Sequence, residues 1–319
     1  MPTSTARALG AIICVVLALL ELAWMIRDFR GAGLHDTVWT WFGGMLPGQH
    51  HGILATSAVD VVLLVVYAVA GLTATKPAGR SALATAAALT LAYRTPTVWM
   101  LGADWAEGAP DRTLVLVTAV AEVLGAVYLI IAALVAGRPA GAPAAPPRPG
   151  PAVCAGVLLA VFGVVGAAWQ LWDMREFTAE KYGPLTYWHM LTGEHTISAL
   201  LAPAPAWSGW ATAVLCVLTA VQAFVRTPLA RTMGMALGGT LIVFGTVALV
   251  QYHTEHIPFT LHHAATNVVL QRLTLLLEIA VGVVALLLLA IPDLRPVMTD
   301  QPGRRPPAQA YGGWNPPAP

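Results

Sequence analysis

The amino-acid sequence predicts an all-α integral membrane protein of eight transmembrane helices, arranged as two parallel pseudo-repeats of four with both termini cytoplasmic. Three observations predict it. The 319 residues are 57% hydrophobic and only 10% charged, with a mean hydropathy of +0.69, which is more apolar surface than a soluble core can hold. Eight stretches, 8-26, 53-74, 81-101, 113-136, 152-172, 208-225, 232-251 and 272-292, are long and apolar enough to cross a hydrocarbon layer of about 30 Å. Finally, sequence elements of the first half recur in the second.

The first stretch follows a single basic residue, Arg7, as a signal peptide would. It is nevertheless long enough to span, and no small-residue cleavage site follows it, so a retained first helix is expected. Ten of the seventeen basic residues lie at the termini or in the even-numbered loops, among them Arg7, Lys76, Arg80, Arg138, Arg226 and Arg231. The positive-inside rule therefore places both termini in the cytoplasm, with the chain crossing a cell membrane several times. Fourteen of the sixteen carboxylates, ten of the eleven tryptophans and all nine histidines then fall in the outer loops or in the spans. An aromatic belt populates both interfaces, so a one-sided collection points to a site at the outer face.

The domain plan is a first four-helix repeat over 1-136, a Pro/Gly-rich linker over 137-151, a second four-helix repeat over 152-295 and a Pro-rich tail over 296-319. Ala23 to Arg30, AWMIRDFR, matches Ala168 to Arg175, AWQLWDMR, at an offset of 145 residues. At the same offset LPGQH, ending at His50, aligns with LTGEH, ending at His195, and Trp41 matches Trp188 with a two-residue slip. AYRT, with Tyr93 and Arg94, resembles QYHT, with Tyr252 and His253, and Arg112 followed by Glu122 resembles Arg272 followed by Glu278. Two such halves in the same orientation form a parallel repeat about the membrane normal.

The candidate chemical groups follow from depth. Asp60 lies near the eighth residue of the second stretch, about 10 Å below the outer boundary. Glu122 and Glu278 sit at comparable depth in the fourth and eighth stretches, and Glu21 in the outer third of the first. A carboxyl at such depth either stays uncharged and serves as an acid, or is held ionised by a partner such as Arg94, Arg112 or Arg272. Asp28 and Asp173 stand at the water boundary, where Arg30 and Arg175 are their expected local partners; each follows a tryptophan, Trp24 or Trp169, by one helical turn. The candidate catalytic set is thus Asp60, Asp28, Asp173, Glu122, Glu278, His50 and His195. The candidate substrate wall is Trp24, Trp41, Tyr93, Arg94, Trp99, Trp169, Trp188 and Tyr252.

No cofactor is expected on the main reading. The alternative is a haem or metal held through His50, His195, His253 and His256, since imidazoles with a carboxylate are good ligands; the HTEHIPFTLHH stretch lacks a regular ligand spacing, and Pro258 interrupts it. Cys14, Cys154 and Cys216 fall in apolar stretches without CxxC spacing. A net charge of +1 and the absence of a Walker loop, GxGxxG, HExxH or GxSxG element remove nucleic acid, nucleotide-driven work and serine hydrolysis from consideration.

Eight spans in two four-helix halves resemble the layout of haem A synthases, from which the chain departs: Glu194 adjoins His195, and Gln49 replaces the acid in the first half. In length, span content and Ala/Gly/Pro/Arg usage, residues 8 to 292 are similar to the small integral-membrane terpene cyclases of actinomycete indole-terpenoid pathways. That resemblance brings no motif and no residue role; it implies a membrane enzyme acting on an isoprenoid or prenylated substrate. Aromatic walls would stabilise carbocations through cation-π contacts, and a carboxylic acid would start the reaction. The other readings are a proton-coupled transporter, a redox subunit and an assembly subunit. The partners expected are membrane lipid and a hydrophobic small molecule.

Overall fold

The structure, a computed structural model, describes residues 3–42, 54–135, 147–179, 183–194, 198–254 and 265–291, of which 3, 4 and 252–254 are described by their backbone alone. The described residues form helices without strands. In the first half these are α1 (Thr3–Ala32), α2 (Leu34–Trp41), α3 (Ala58–Thr73), α4 (Gly79–Gly102), a 3-10 turn over Asp104–Ala106, and α5 (Arg112–Val135). In the second they are α6 (Pro149–Phe177), α7 (Thr186–Thr192), α8 (Pro205–Phe224), α9 (Pro228–Thr254) and α10 (Thr266–Ala290).

Six helices, α1, α5, α6, α8, α9 and α10, are long and apolar enough to cross a membrane, so the chain is a multi-pass membrane protein. Their outward faces carry exposed Leu and Val, such as Leu19, Leu124, Leu134 and Val164, which only lipid can cover without a hydrophobic cost. The second and third expected stretches differ from the other six. α3 has 16 residues and so a length of about 24 Å. α4 is long, with 24 residues, but it is rich in Ala and Thr and carries Arg80 and Arg94.

The start of α3 corrects the expected boundary at residue 53. Ser57 caps the helix, with Asp60 at the third helical position accepting from the Ser57 backbone. This reciprocal cap sets the first turn at Ala58. Asp60 is therefore in the first turn of its helix and not at an eighth residue. At the other boundary, α6 begins at Pro149, inside the expected linker, because proline is compatible with a first helical turn. Two short helices, α2 and α7, occupy stretches read from sequence as loops.

Each group of four long helices has the same neighbours. α1 packs on α3 and α5, and α4 on α3 and α5; likewise α6 packs on α8 and α10, and α9 on α8 and α10. The groups join through α4 against α8 and α9, and α3 against α9. A second join is local: Leu200 and Leu201 donate backbone hydrogen bonds to Leu54 and Ala55, at 3.0 and 2.8 Å. These two segments lead into α8 and α3.

Close helix approach depends on small residues. A Cβ at Gly238 would lie 2.7 Å from the Gly282 carbonyl oxygen, and one at Gly282 would lie 2.7 Å from that of Gly238. α9 and α10 thus touch backbone to backbone, as membrane helices do where glycine removes the intervening side chain. Gly282→Val is expected to force the pair apart and lower the yield of monodisperse protein from detergent extracts. A normal elution profile and unfolding temperature for that variant would show that the crossing tolerates a side chain.

Candidate functional site

Charge placement in the first half is organised by one residue. Arg94 is fully buried, on α4. Its Nε donates to Glu122 Oε2 of α5 at 2.5 Å, and its Nη2 donates to Glu21 Oε1 of α1 at 2.5 Å and to Asp60 Oδ1 of α3. Its Nη1 donates to the Leu201 carbonyl, in the segment that leads into α8. The three carboxyls are as fully buried as the guanidinium. A rigid fork with five donors can serve four acceptors from different helices at once, which a lysine cannot do. Glu21 Oε2 and Glu122 Oε1 are buried without a hydrogen-bond partner among the described residues.

Asp28, at the end of α1, is buried and saturated. It accepts from the backbone of Ala55 and Thr56 at 3.2 and 2.8 Å, from Thr56 Oγ1 at 2.7 Å and from Arg27 Nη1 at 2.8 Å. Arg27, which also reaches Asp111, replaces the expected partner Arg30. Residues two apart on a helix point to opposite sides, whereas the flexible Arg27 can bend around. Trp41 Nε1 donates to the same Thr56 hydroxyl at 3.0 Å. These bonds fasten the segment before α3 to the end of α1.

The second half holds the corresponding residues differently. Trp24 Nε1 donates to Thr118 Oγ1 at 3.1 Å in the first half, and Trp169 Nε1 donates to Thr274 Oγ1 at 3.0 Å in the second. One turn beyond each threonine comes a glutamate, Glu122 and Glu278. Glu122 is closed on Arg94. Glu278 is half-buried, lies within electrostatic reach of Tyr93 and Cys216, and makes no ion pair among the described residues. Asp173, the counterpart of Asp28, is also half-buried and has no ion pair with Arg175 or any other described residue. It lies close to Tyr187 on α7, whose hydroxyl accepts from Trp210 Nε1 at 2.8 Å and donates to Gln170 Oε1 at 3.2 Å. Burial pushes the Tyr187 phenol above its ordinary value, the Trp210 hydrogen bond opposes this, and the Asp173 charge adds to it.

Aromatic side chains collect between the halves. Tyr93 is buried, hydrogen bonded to Thr212 Oγ1 at 3.0 Å and set edge-on to Phe244. Trp99 meets Trp207 edge-on at 5.0 Å and donates to the Thr192 carbonyl at 3.0 Å. Trp207 Nε1 donates to the Ala92 carbonyl at 2.7 Å. Pro96, four residues on, has no N–H for that carbonyl, so the indole of the second half completes the helix of the first. Trp188 is exposed at 56%. A separate groove of about 570 Å³ runs between α6 and α10, lined by Val165, Trp169, Trp172, Leu270, Leu273 and Leu277 among others, and is open at the protein surface.

Of the sequence candidates, the structure brings Asp60, Glu122 and Arg94 together and adds Glu21. It places Trp24, Trp41 and Asp28 in the packing at the C-terminal end of α1. Trp169 meets Thr274 of α10; Asp173, one turn further along α6, lies near Tyr187, and Glu278, one turn beyond Thr274, lies near Tyr93 and Cys216. His50, His195 and His256, with the side chains of Tyr252 and His253, lie outside the described residues. Among the described residues no group of His, Cys, Asp and Glu is arranged to hold a metal ion. Sequence reading missed the threonines that fix the two tryptophans. The signal was present: TAVAE, Thr118 to Glu122, and TLLLE, Thr274 to Glu278, share a Thr-x-x-x-Glu spacing that sets both side chains on one helix face.

The chain matches no protein-family model, no curated protein and no solved structure. The assignment of its site therefore rests on geometry.

Removing one member of a buried ionic cluster strands the others, at a cost of about 3–5 kcal/mol. Arg94→Met is expected to lose most of the folded protein, read as the monodisperse peak after detergent extraction. Recovery of that variant at wild-type yield would show that the first half does not depend on the guanidinium.

Proposed function

We propose that this protein is a membrane enzyme of eight spans, built as two repeats of four, that acts by proton transfer on a lipid-soluble isoprenoid or prenylated substrate. Chemistry resides in the second half, and the first half supplies the frame. The observation that carries this reading is the different fate of equivalent acids. Asp28 is held by Arg27 and two backbone donors and Glu122 by Arg94, whereas Asp173, near the end of α6, and Glu278, in the middle of α10, have no ion pair among the described residues. At the repeat offset Gly166 takes the position of Glu21, and QYHT puts His253 at the register of Arg94. Trp207 is the third residue of α8 as Asp60 is of α3. Three charged positions of the frame thus become Gly, His and Trp, which leaves one acid beside aromatic rings.

An unpaired intramembrane acid is a functional group by default. In the proposed reaction a protonated carboxyl gives its proton to an alkene or an epoxide oxygen of the substrate. The cation formed is attacked by another double bond of the same molecule, with indole faces of the Trp169 and Trp207 type offsetting its charge. A second group, a carboxylate or imidazole, removes a proton from the neighbouring carbon to restore an alkene, so the substrate is isomerised with no net proton change. The Trp- and Leu-lined groove between α6 and α10 is suited to admitting such a substrate from the bilayer.

The test is conversion of prenylated aromatic substrates, with and without an epoxide, by membranes containing the protein. Glu278→Gln and Asp173→Asn should each lower the rate at least about 100-fold, the usual contribution of a general acid or base, with the protein level unchanged. Wild-type rates in both variants, or no conversion of any such substrate by the wild type, would overturn the reading.

A further inference from the structure

Another cleft lies apart from the groove at Trp169 and shares no lining residue with it. It has a volume of about 550 Å³ and is walled by α3 and α4 of the first half and α9 of the second. Along α3 its lining runs from Val61 to Thr73, a distance of about 18 Å, and it includes Val65 and Val69, both more than half exposed. Met235 and Val243 form the facing wall, and Gly239 lies between them. A Cβ at Gly239 would meet nothing within 4 Å, unlike its neighbour Gly238. The cleft is therefore long, apolar and unfilled by any side chain of the described residues.

One end of it is different. Arg231 lines the cleft there with Ala78, Ser81 and Pro228. The guanidinium donates through Nε and Nη2 to the carbonyls of Leu289 and Ala290, at 3.2 and 2.9 Å, which orients it by closing the end of α10. Neither partner is a carboxylate, and Arg231 has no ion pair among the described residues, so its charge is fixed in place without a carboxylate among them. The first turns of α4 and α9 reach the same mouth, and helix N-termini favour an anion. Exposed Lys76 and Arg80 flank that end of the chain. An oriented positive charge at the mouth of an apolar channel about 18 Å long matches one kind of molecule, with an anionic head and a hydrocarbon chain.

We infer that this cleft is a binding site for one anionic phospholipid, its phosphate against Arg231 and an acyl chain along Val65, Val69 and Gly239. The site joins α3 and α4 to α9 and so bridges the two halves independently of any reaction in the second. It is independent of the proposed enzymatic function and stands or falls separately from it.

The test uses the full chain in detergent, with phosphatidylglycerol and phosphatidylcholine of identical acyl chains, read by native mass spectrometry and by the unfolding temperature. The wild type should retain one phosphatidylglycerol in preference to phosphatidylcholine and unfold at a higher temperature with it. Arg231→Gln, which keeps a donor for the α10 carbonyls, should weaken phosphatidylglycerol retention about fivefold, the value of one basic side chain at a membrane surface, and equalise the two lipids. Gly239→Leu, which fills open space, should abolish retention of both without lowering the lipid-free unfolding temperature. Equal retention of the two lipids by the wild type would overturn the inference. So would an unchanged preference in Arg231→Gln, stabilisation by inorganic phosphate equal to that by the phospholipid, or a lipid-free dimer closed over the cleft and broken by Gly239→Leu.

Discussion

A single guanidinium with no access to water holds the helices of the first half together. Arg94 contacts α1 through Glu21, α3 through Asp60, α5 through Glu122 and the approach to α8 through the Leu201 carbonyl. Burying ionic groups costs several kcal/mol each, and their attraction offsets this only when geometry and hydrogen bonding are complete. The arrangement is therefore an all-or-none constraint: each helix must bring its carboxyl to the same point. The Ser57 cap, the Asp28 bonds to Ala55 and Thr56, and the pairing of 54–55 with 200–201 all serve to deliver Asp60 and Leu201 to that point. Specificity of packing is a more natural product of such a cluster than net stability.

The second half repeats the neighbour relations of the first and lacks its lock. The tryptophan-to-threonine bond is kept in both, so α1 meets α5 as α6 meets α10. The acid one turn beyond each threonine is handled differently: Glu122 is bonded to Arg94, and Glu278 has no ion pair among the described residues. The tight Gly238 to Gly282 crossing brings α9 and α10 into backbone contact, and α10 also buries the cation Arg272. That contrast between Glu122 and Glu278 is the physical basis of the proposed division of labour.

The membrane character, most of the helix positions and the AWxxxDxR elements were legible because hydropathy and period act locally along the chain. The depth of Asp60 was not, since a run of apolar residues does not reveal that Ser57 begins the helix within it. Nor was the pairing of Asp28 with Arg27, which depends on which way a side chain turns around the helix. Glu122 and Arg94 could be named as possible partners from sequence, but the convergence of three acids on one arginine is a property of four helices together. α4 was legible as a helix, read at 81-101 and found at Gly79–Gly102, but its partners were not, among them the Trp207 bond to the carbonyl that Pro96 leaves open.

The central claim is that Arg94 ties the first half into one cooperative unit that the second half does not share. Hydrogen exchange on Arg94→Lys, which keeps the charge and loses the fork, tests it most directly. The account predicts a joint loss of protection around Glu21, Asp60 and Glu122 and in residues 198–204, while α6 and α10 exchange as in the wild type. Loss of protection confined to α4, or spread equally over both halves, would contradict it.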